Sequence, residues 1–284
     1  MATQSISCSP SNSSDAYFRD WGKKLSDAMT AVGFTKTADT GQIDWATVAK
    51  PPAVSTYQGY EIRAFSDALQ STNPIIVKFS FGSASGSANN CALKIQIGRA
   101  TDGAGNFVGE TTTAFELTNS SSSTTAYNGY ISGASNRVSF ALFVNSSYIF
   151  MFYVERTKNA SGADTADGID SVGIRTSGNY QQYFPNKGIG FPAVLASSAL
   201  CCACPYSGAG TYGSDIGLFP IFVNRGYADN PSLGACVYFT ADIAAETDVT
   251  LTILGASHTF KTMAGSIGNV NGNGGAKSLA LRYE

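Results

Sequence analysis

The chain has 284 residues, of which 43% are hydrophobic and 12% aromatic, so it can bury a full core. Only 13% of the residues are charged, roughly half the usual share in soluble proteins, and the net charge is -2. Nucleic-acid binding is not predicted, because it needs clustered lysines and arginines. The low charge predicts a surface that neighbouring molecules largely cover, or an inert exterior.

The first fourteen residues are rich in serine and asparagine, and we expect them to be mobile. They show no basic region followed by an apolar stretch, so no signal peptide is predicted. The longest apolar stretch, 138–154, is interrupted at Asn145 and is too short to cross a bilayer comfortably, so membrane insertion is not predicted. Synthesis in a cytoplasm is therefore expected, where the six cysteines would stay reduced.

A helix is predicted next, because apolar residues recur every three or four positions along one face. Phe18, Trp21 and Leu25 begin this stripe, which continues to Val32. Ser14 or Asp15 can cap the start of the helix, and a glycine follows its end. The stripe covers fewer than three heptads, which favours a packed helix over a coiled coil.

The segment 35–52, TKTADTGQIDWATVAKPP, is predicted to be an extended arm with a few large anchors. Turn chemistry at 39–41 precedes a short strand-like alternation, and two prolines exclude a helix at its end. The anchors are Ile43, Trp45 and Val48. We expect Trp45 to be mostly buried, either against its own domain or against a neighbouring subunit, because a buried tryptophan removes ~150–250 Å² from water.

From residue 57 onward the pattern is β almost throughout, with polar turns between short runs. The predicted strands are 59–65, 74–82, 91–98, 111–118, 137–145, 148–156, 169–175, 216–224, 234–240, 248–254, 257–262 and 277–283. Residues 65–70 can add one helical turn. The pattern predicts a mainly β chain with an antiparallel β-sandwich or jelly-roll-like domain at 57–284, preceded by a helix and docking arm at 1–56.

No motif in the chain carries a convincing catalytic, cofactor or metal site. GAGTYG at 208–213 does not lie between a strand and a helix, so it is interpreted as a loop. CCACP at 201–205 has no second close ligand pair for zinc. The single histidine, His258, adjoins Ser257 in a predicted strand, where the two side chains point to opposite faces and cannot form a dyad. DTADGID at 164–170 is interpreted as a polar turn, with a loose Ca²⁺ site as a minor alternative.

One aromatic segment could bind a sugar or a protein. NYQQYFPNKGIGFP at 179–192 is predicted to be a loop carrying Tyr180, Tyr183 and Phe184. Such a loop could bind a receptor or glycan. Packing of these rings beneath the loop or at an interface is an equally good interpretation. Paired carboxylates for glycoside cleavage assemble through space, and the sequence nominates no pair.

The hairpin at 138–156 predicts self-association. Apolar residues occupy both faces of its strands, whereas a strand with one wet face alternates apolar and polar residues. The second face, represented by Phe143 and Met151, must therefore be covered. The N-terminal helix is one candidate cover, and an identical neighbour is the other. We therefore expect a homo-oligomer.

The N-terminal third resembles a family of tailed-bacteriophage virion proteins. The resemblance spans roughly residues 17–83 and is most specific at GQIDW, 41–45, followed by GYEIRAF at 59–65. It implies a non-enzymatic component of the tail, a fibre or the capsid exterior, located in the virion, with other virion proteins as partners. It implies no catalytic residues, and by analogy with phage fibres a trimer is favoured for the expected homo-oligomer.

Within this interpretation a tail or tail-fibre component ranks first and a capsid decoration protein second. A carbohydrate-binding or polysaccharide-degrading host-recognition protein is the alternative from another class.

Overall fold

The computed structural model of the chain describes residues 2–112, 114–144, 149–158, 163–177, 180–185, 200–202, 217–223, 232–240, 246–253, 256–262 and 278–283. Strands make up 49% of the structure, and their pairs are antiparallel, which confirms the predicted mainly β class. Within these ranges one α-helix, α1, spans Asp15–Ala31. A 3-10 turn at Ala68–Ser71 matches the helical turn expected at 65–70.

The strands in chain order are β1 (Ala2–Cys8), β2 (Thr35–Lys36), β3 (Tyr57–Ala64), β4 (Ile76–Ser83), β5 (Cys91–Thr101), β6 (Phe107–Thr111), β7 (Phe115–Thr118), β8 (Tyr127–Ala134), β9 (Arg137–Val144), β10 (Phe150–Lys158), β11 (Asp164–Ser177), β12 (Tyr180–Pro185), β13 (Leu200–Cys202), β14 (Gly217–Val223), β15 (Ser232–Thr240), β16 (Asp248–Ile253), β17 (Ala256–Thr262) and β18 (Ser278–Arg282).

These strands form three antiparallel sheets. Sheet A has the order β1-β8-β9-β10-β11-β12. Sheet B has the order β2-β3-β4-β5-β6, with β7 also paired to β5. Sheet C has the order β13-β14-β15-β18-β17-β16. Most neighbours are consecutive in the chain, as expected for hairpins, whereas the pairs β1–β8, β5–β7 and β15–β18 join strands that are not.

Helix α1 forms as its sequence predicts. The Ser14 hydroxyl accepts a hydrogen bond from the Tyr17 backbone N–H at 3.3 Å and so caps the first turn. After the last turn, Gly33 adopts a φ of +89°, which a residue with a side chain would resist. The predicted stripe is buried along its whole length, because the helix lies against sheets A and B.

The core lies between sheets A and B. The ring of Phe79 on β4 packs against Phe152 on β10 with centroids 5.7 Å apart, and against Phe140 on β9 at 6.2 Å. Helix α1 contributes to the same core, since the ring of Trp21 lies 5.5 Å from that of Phe81. Residues on both sides of the boundary predicted at 56/57 belong to this one hydrophobic cluster.

The expectation that residues 1–14 are mobile is wrong. Residues 2–8 form β1, which pairs with β8 over seven consecutive positions. The next residues are anchored in the core: Asn12 is fully buried, and its amide donates to the Gly82 and Asn90 carbonyls at 3.0 and 3.1 Å. Its side-chain oxygen accepts from the Trp21 indole at 3.0 Å. Serine and asparagine here supply hydrogen bonds to buried groups rather than a flexible tail.

The second face of sheet A is covered by sheet C. Strand β18 lies against β9, and the hydroxyls of Ser5 and Tyr283 are hydrogen-bonded at 2.8 Å. The Tyr130 hydroxyl donates to the Glu246 carboxylate at 2.6 Å. The two apolar faces of the predicted hairpin therefore have two covers within one chain, sheet B on one side and sheet C on the other.

Several local predictions need correction. Strands β1, β2, β8, β12 and β13 were not predicted, the strand predicted at 111–118 is divided between the last residue of β6 and β7, and the turn expected at 164–170 lies within β11. The strand-like alternation around Trp45 is wrong, because residues 45–47 form a turn. Asp44 fixes that turn: its carboxylate accepts from the Ala46 N–H and the Thr47 hydroxyl, both at 2.9 Å.

No helix among the described residues is long and apolar enough to span a membrane.

Candidate functional site

The arm at 35–52 is locked onto strand β3 by backbone and side-chain hydrogen bonds. The Ile43 N–H donates to the Tyr60 carbonyl at 2.8 Å. The Gln42 side chain bridges both segments: its oxygen accepts from the Ile62 N–H at 2.9 Å, and its amide donates to the Thr37 carbonyl at 2.9 Å. Thus GQIDW, the most specific part of the sequence resemblance, and GYEI, another of its motifs, are hydrogen-bonded to each other and form one interlock.

Trp45 enters the core through a gap that a glycine leaves open. A Cβ on Gly22 of α1 would lie 2.0 Å from the nearest atom of the Trp45 ring. The ring packs on Phe81 at 4.7 Å in an edge-to-face arrangement and on Phe18 at 5.7 Å. Trp45 is 7% exposed, which confirms the predicted burial. Of the two predicted covers, its own domain is the one observed.

Glu61 on β3 is the centre of a buried ionic network. One of its carboxylate oxygens, Oε1, accepts from the Trp45 indole at 2.7 Å, the Ser26 hydroxyl at 2.7 Å and the Lys36 ammonium at 2.6 Å. The other, Oε2, accepts from Arg63 Nη2 at 2.7 Å. Burial alone would raise the pKa of Glu61, but Arg63, Lys36 and Ser26 stabilise the carboxylate and lower the pKa below its usual value.

Arg63 completes the network. It is fully buried, and its guanidinium donates to Glu61, to the Phe34 carbonyl at 2.5 Å, to the Thr30 hydroxyl at 3.0 Å and to the Ser26 carbonyl at 2.8 Å. These bonds use the donor capacity of the guanidinium. Residues i and i+2 of a strand share a face, so Glu61 and Arg63 both point from β3 towards α1.

This network is built to hold the fold. A general base needs a lone pair that can reach a substrate proton, and a metal site needs an open ligand position. The carboxylate of Glu61 is saturated by four donor groups and has no exposed surface. We therefore interpret Glu61, Arg63 and Trp45 as a structural tie among the arm, the helix and sheet B.

The residues predicted to dock on neighbours are committed to the chain's own core. Phe18, Trp21 and Leu25 are fully buried, and Ile43 is 7% exposed. Val48 is partly buried and packs against the same cluster. The prediction that this helix face and arm attach the chain to neighbouring subunits is corrected, because their apolar surfaces already have an internal partner.

The predicted oligomer contact is also internal. Phe143 is fully buried and does not lie on the second face of the hairpin: a bulge between β8 and β9 gives it a φ of +58° and turns its ring towards Trp21, 6.2 Å away. Met151 does lie on the second face, but it is only 2% exposed. Neither side chain is accessible to a second copy. The homo-oligomer itself stays a prediction.

The aromatic loop predicted at 179–192 begins instead as a strand. Tyr180–Pro185 form β12 at one edge of sheet A, where Tyr183 is paired with Ile174 and Phe184 with Gly173. The prediction that these residues belong to a loop is therefore corrected for 180–185. The remainder of the predicted loop lies outside the described residues.

The other sequence candidates add no catalytic arrangement within the described parts of the chain. Cys8 and Cys91 are buried free thiols, and burial raises the pKa of Cys8 to about 12, which keeps it protonated. His258 lies on β17, where burial and the charges of Arg282 and Arg137 lower its pKa. No group of three potential metal ligands occurs among the described residues. The GAGTYG segment lies outside them.

Two tyrosines on the outer face of sheet B are covered by the chain's own lysines. The Lys78 ammonium lies 4.3 Å from the ring centroid of Tyr60, and that of Lys94 lies 4.0 Å from the ring of Tyr57. Lys78 also donates to the Gly105 carbonyl at 2.7 Å. These rings therefore do not offer free faces for stacking against a sugar.

The polar contact between sheets A and C was not predicted. Glu246 accepts from Asn128 at 2.5 Å as well as from Tyr130, and the Lys261 ammonium lies 5.1 Å from the Tyr130 ring. Asn128 and Glu246 are 118 residues apart in the chain. No local pattern marks such a pair, because each residue alone looks like an ordinary surface group.

Comparison with known proteins identifies no family. No protein-family model matches the chain, and neither the curated proteins nor the solved structures contain a significant match.

Proposed function

We propose that the chain is a non-enzymatic structural component of a bacteriophage particle, most directly of the tail or a tail fibre. The observation that carries the proposal is the interlock of GQIDW with GYEI. The residues that resemble phage virion proteins are the ones that tie arm, helix and sheet together through Trp45 and Glu61. A resemblance concentrated on fold-holding residues favours a shared scaffold over a shared reaction.

The composition supports the same role. A chain with 13% charged residues is poorly suited to a free existence in solution, whereas a particle subunit has much of its surface covered. As part of this proposal we keep the prediction of a jelly-roll-like β-sandwich. Most of the described strands pair with their neighbours in the chain, so the observed pairings do not establish a jelly-roll order of strands.

Localisation on purified particles tests the proposal. Density-gradient-purified virions of a phage that encodes the chain should contain it in stoichiometric amount by quantitative peptide mass spectrometry. Gold-labelled antibodies raised against the recombinant chain should mark the tail or fibres in electron micrographs, and antibodies pre-absorbed with that chain serve as the control. Labelling of the capsid would favour a decoration protein. Absence of the chain from washed virions would contradict a structural role.

A host-recognition function is the second candidate. Its support is limited to the sequence of β12, whose tyrosines lie at an edge of sheet A. Incubation of the recombinant chain with purified host-surface polysaccharide separates the alternatives. Retention without new reducing ends indicates a binding module, new reducing ends indicate a depolymerase, and neither result is expected for a purely structural subunit.

A further inference from the structure

Strand β1 presents a long, regular edge at one side of sheet A. Its seven residues, ATQSISC, pair with β8 without a register shift. They include no charged residue, no proline and no glycine. Gln4, Ser5 and Ser7 are exposed. An edge of this kind carries backbone N–H and C=O groups that another strand can pair with, and proteins commonly protect such edges.

The other sheet edges in the described parts of the chain carry such protection. Strand β2 has only two residues, one of them Lys36, and β13 has three residues. Strand β6 has an irregular register and contains Glu110. Strand β12 ends in Pro185, and β16 begins with Asp248. The four-residue β7, which also lies at this side of sheet B, contains Glu116. Length, charge, proline or irregularity thus limits each of these strands, whereas β1 itself contains no such feature.

A contact from α1 shows which backbone groups of β1 point outward. The Lys24 ammonium donates to the Ser7 carbonyl at 2.7 Å, so that carbonyl faces away from β8. In an antiparallel pair successive residues direct their backbone groups to alternate sides, so those of Thr3 and Ser5 point outward as well. Among the described residues no hydrogen bond other than that of Lys24 reaches this outer edge.

We propose that the edge of β1 pairs with the β1 edge of a second copy of the chain, antiparallel and about a two-fold axis at Ser5. Ser5 would exchange two backbone hydrogen bonds with the partner's Ser5, and Thr3 would pair with the partner's Ser7. The Ser7 carbonyl has a second lone pair, so the Lys24 contact can persist. Sheet A of the two copies then becomes one continuous sheet.

The properties of β1 favour a second copy over an unrelated strand. Two-fold pairing brings each residue opposite itself or its mirror position, so a charged residue near the axis would meet a like charge. Strand β1 contains none. Recognition of a different strand draws its specificity from side-chain pockets at alternate positions, and the small polar side chains of Thr3, Ser5 and Ser7 line no such pocket. This self-pairing goes beyond the proposed function and does not depend on it.

Two measurements on the intact chain test the pairing. Sedimentation equilibrium should show a reversible monomer–dimer transition, in the micromolar range because edge pairing buries little surface. Residue-resolved hydrogen exchange should show protection of the Thr3, Ser5 and Ser7 amides that rises with protein concentration. The Gln4 and Ile6 amides, which point to β8, should be protected at every concentration.

Substitutions at Ser5 separate backbone pairing from side-chain effects. Ser5→Pro and Ser5→Val both remove the hydroxyl bond to Tyr283, but only the proline removes the outward N–H. Ser5→Pro should raise the dimer dissociation constant roughly tenfold or more, and Ser5→Val should change it little. Ser5→Lys should also weaken the dimer and recover at high salt, whereas the neutral Ser5→Gln should show no salt dependence.

A wild-type chain that stays monomeric throughout this range, or that forms a trimer, overturns the proposal. So does a Ser5→Pro variant that keeps a native circular dichroism spectrum and an unchanged dimer. If Ser5→Pro does not fold, the salt response of Ser5→Lys and the alternate-residue exchange pattern still decide the question. These outcomes are independent of where virions carry the chain, so the two proposals fail separately.

Discussion

The two faces of sheet A are covered in contrasting ways. Towards sheet B the contact is aromatic, as between Phe152 and Phe79, and the carboxylate of Glu61 in the neighbouring ionic network has no exposed surface. Towards sheet C the described contacts add hydroxyls and charged groups, as at Tyr130, to buried apolar side chains such as Met151. Two buried hydroxyls on that face, those of Ser132 and Ser139, have no hydrogen-bond partner among the described residues.

The difference has a consequence for stability. Apolar burial and a saturated network are lost only when the core opens as a whole, because removing one partner leaves the others buried and unsatisfied. Exposed or half-buried hydrogen bonds can break singly, at a cost of about 1 kcal/mol each. We therefore expect the contact of sheet C with sheet A to open at lower free energy than the contact between sheets A and B.

The largest effect should come from removing the centre of the closed network. Glu61→Ala leaves Arg63 buried without its counter-ion and should lower the free energy of unfolding by about 3–5 kcal/mol, measured by chemical denaturation. The double variant Glu61→Leu/Arg63→Met removes both charges and should be less destabilised than Glu61→Ala alone. A loss below about 1 kcal/mol in Glu61→Ala would show that the network does not tie the fold.

Acid should weaken the same network by a smaller amount. The pKa of Glu61 is lowered in the folded state, so its contribution is fully present above the unfolded value of about 4.3 and is lost as pH falls through the folded pKa. Between pH 6 and pH 3 the wild type should therefore lose more stability than Glu61→Gln. Other acidic groups titrate in both proteins, so equal losses would contradict the assignment to Glu61.

The gap that admits Trp45 gives the next prediction. Gly22→Ala should stabilise an ordinary helix by up to about 1 kcal/mol. Here the added Cβ meets the Trp45 ring, so we expect a destabilisation of about 1–3 kcal/mol by chemical denaturation. Gly86→Ala is the control, since a Cβ there meets nothing within 4 Å, and it should change stability by less than about 0.5 kcal/mol. A stabilised Gly22→Ala would contradict the observed packing.

The smallest effect is expected at the contact between sheets A and C. Tyr130→Phe removes the hydroxyl that donates to Glu246 and should cost about 1 kcal/mol. Hydrogen exchange should speed up in β16 and β17, while β3 and β4 stay unchanged. Tyr127→Phe is the matched control, because Tyr127 lies on the opposite face of β8 and packs towards the core. Equal acceleration in both pairs of strands would show that the two contacts open together.

The sequence by itself determined the elements whose signals are local. The spacing of Phe18, Trp21 and Leu25 and the cap at Ser14 predicted α1, because a helix repeats every 3.6 residues and its ends need specific donors and acceptors. Strands β9 and β10 are apolar on both faces, and the prediction that both faces are covered is confirmed, but the second cover is sheet C rather than the expected helix or identical neighbour. The burial of Trp45 followed from its size among small polar neighbours.

Only the tertiary structure decided what covers each surface. Glu61 looks like an exposed strand residue until Trp45, Ser26 and Arg63 converge on it, and the polar β1 looks like a tail until β8 pairs with it. Phe143 was assigned to the wrong face, because a single bulge inverts the alternation that a strand pattern assumes. Contacts such as Asn128–Glu246 join residues far apart in the chain, so no window of neighbouring residues contains both partners.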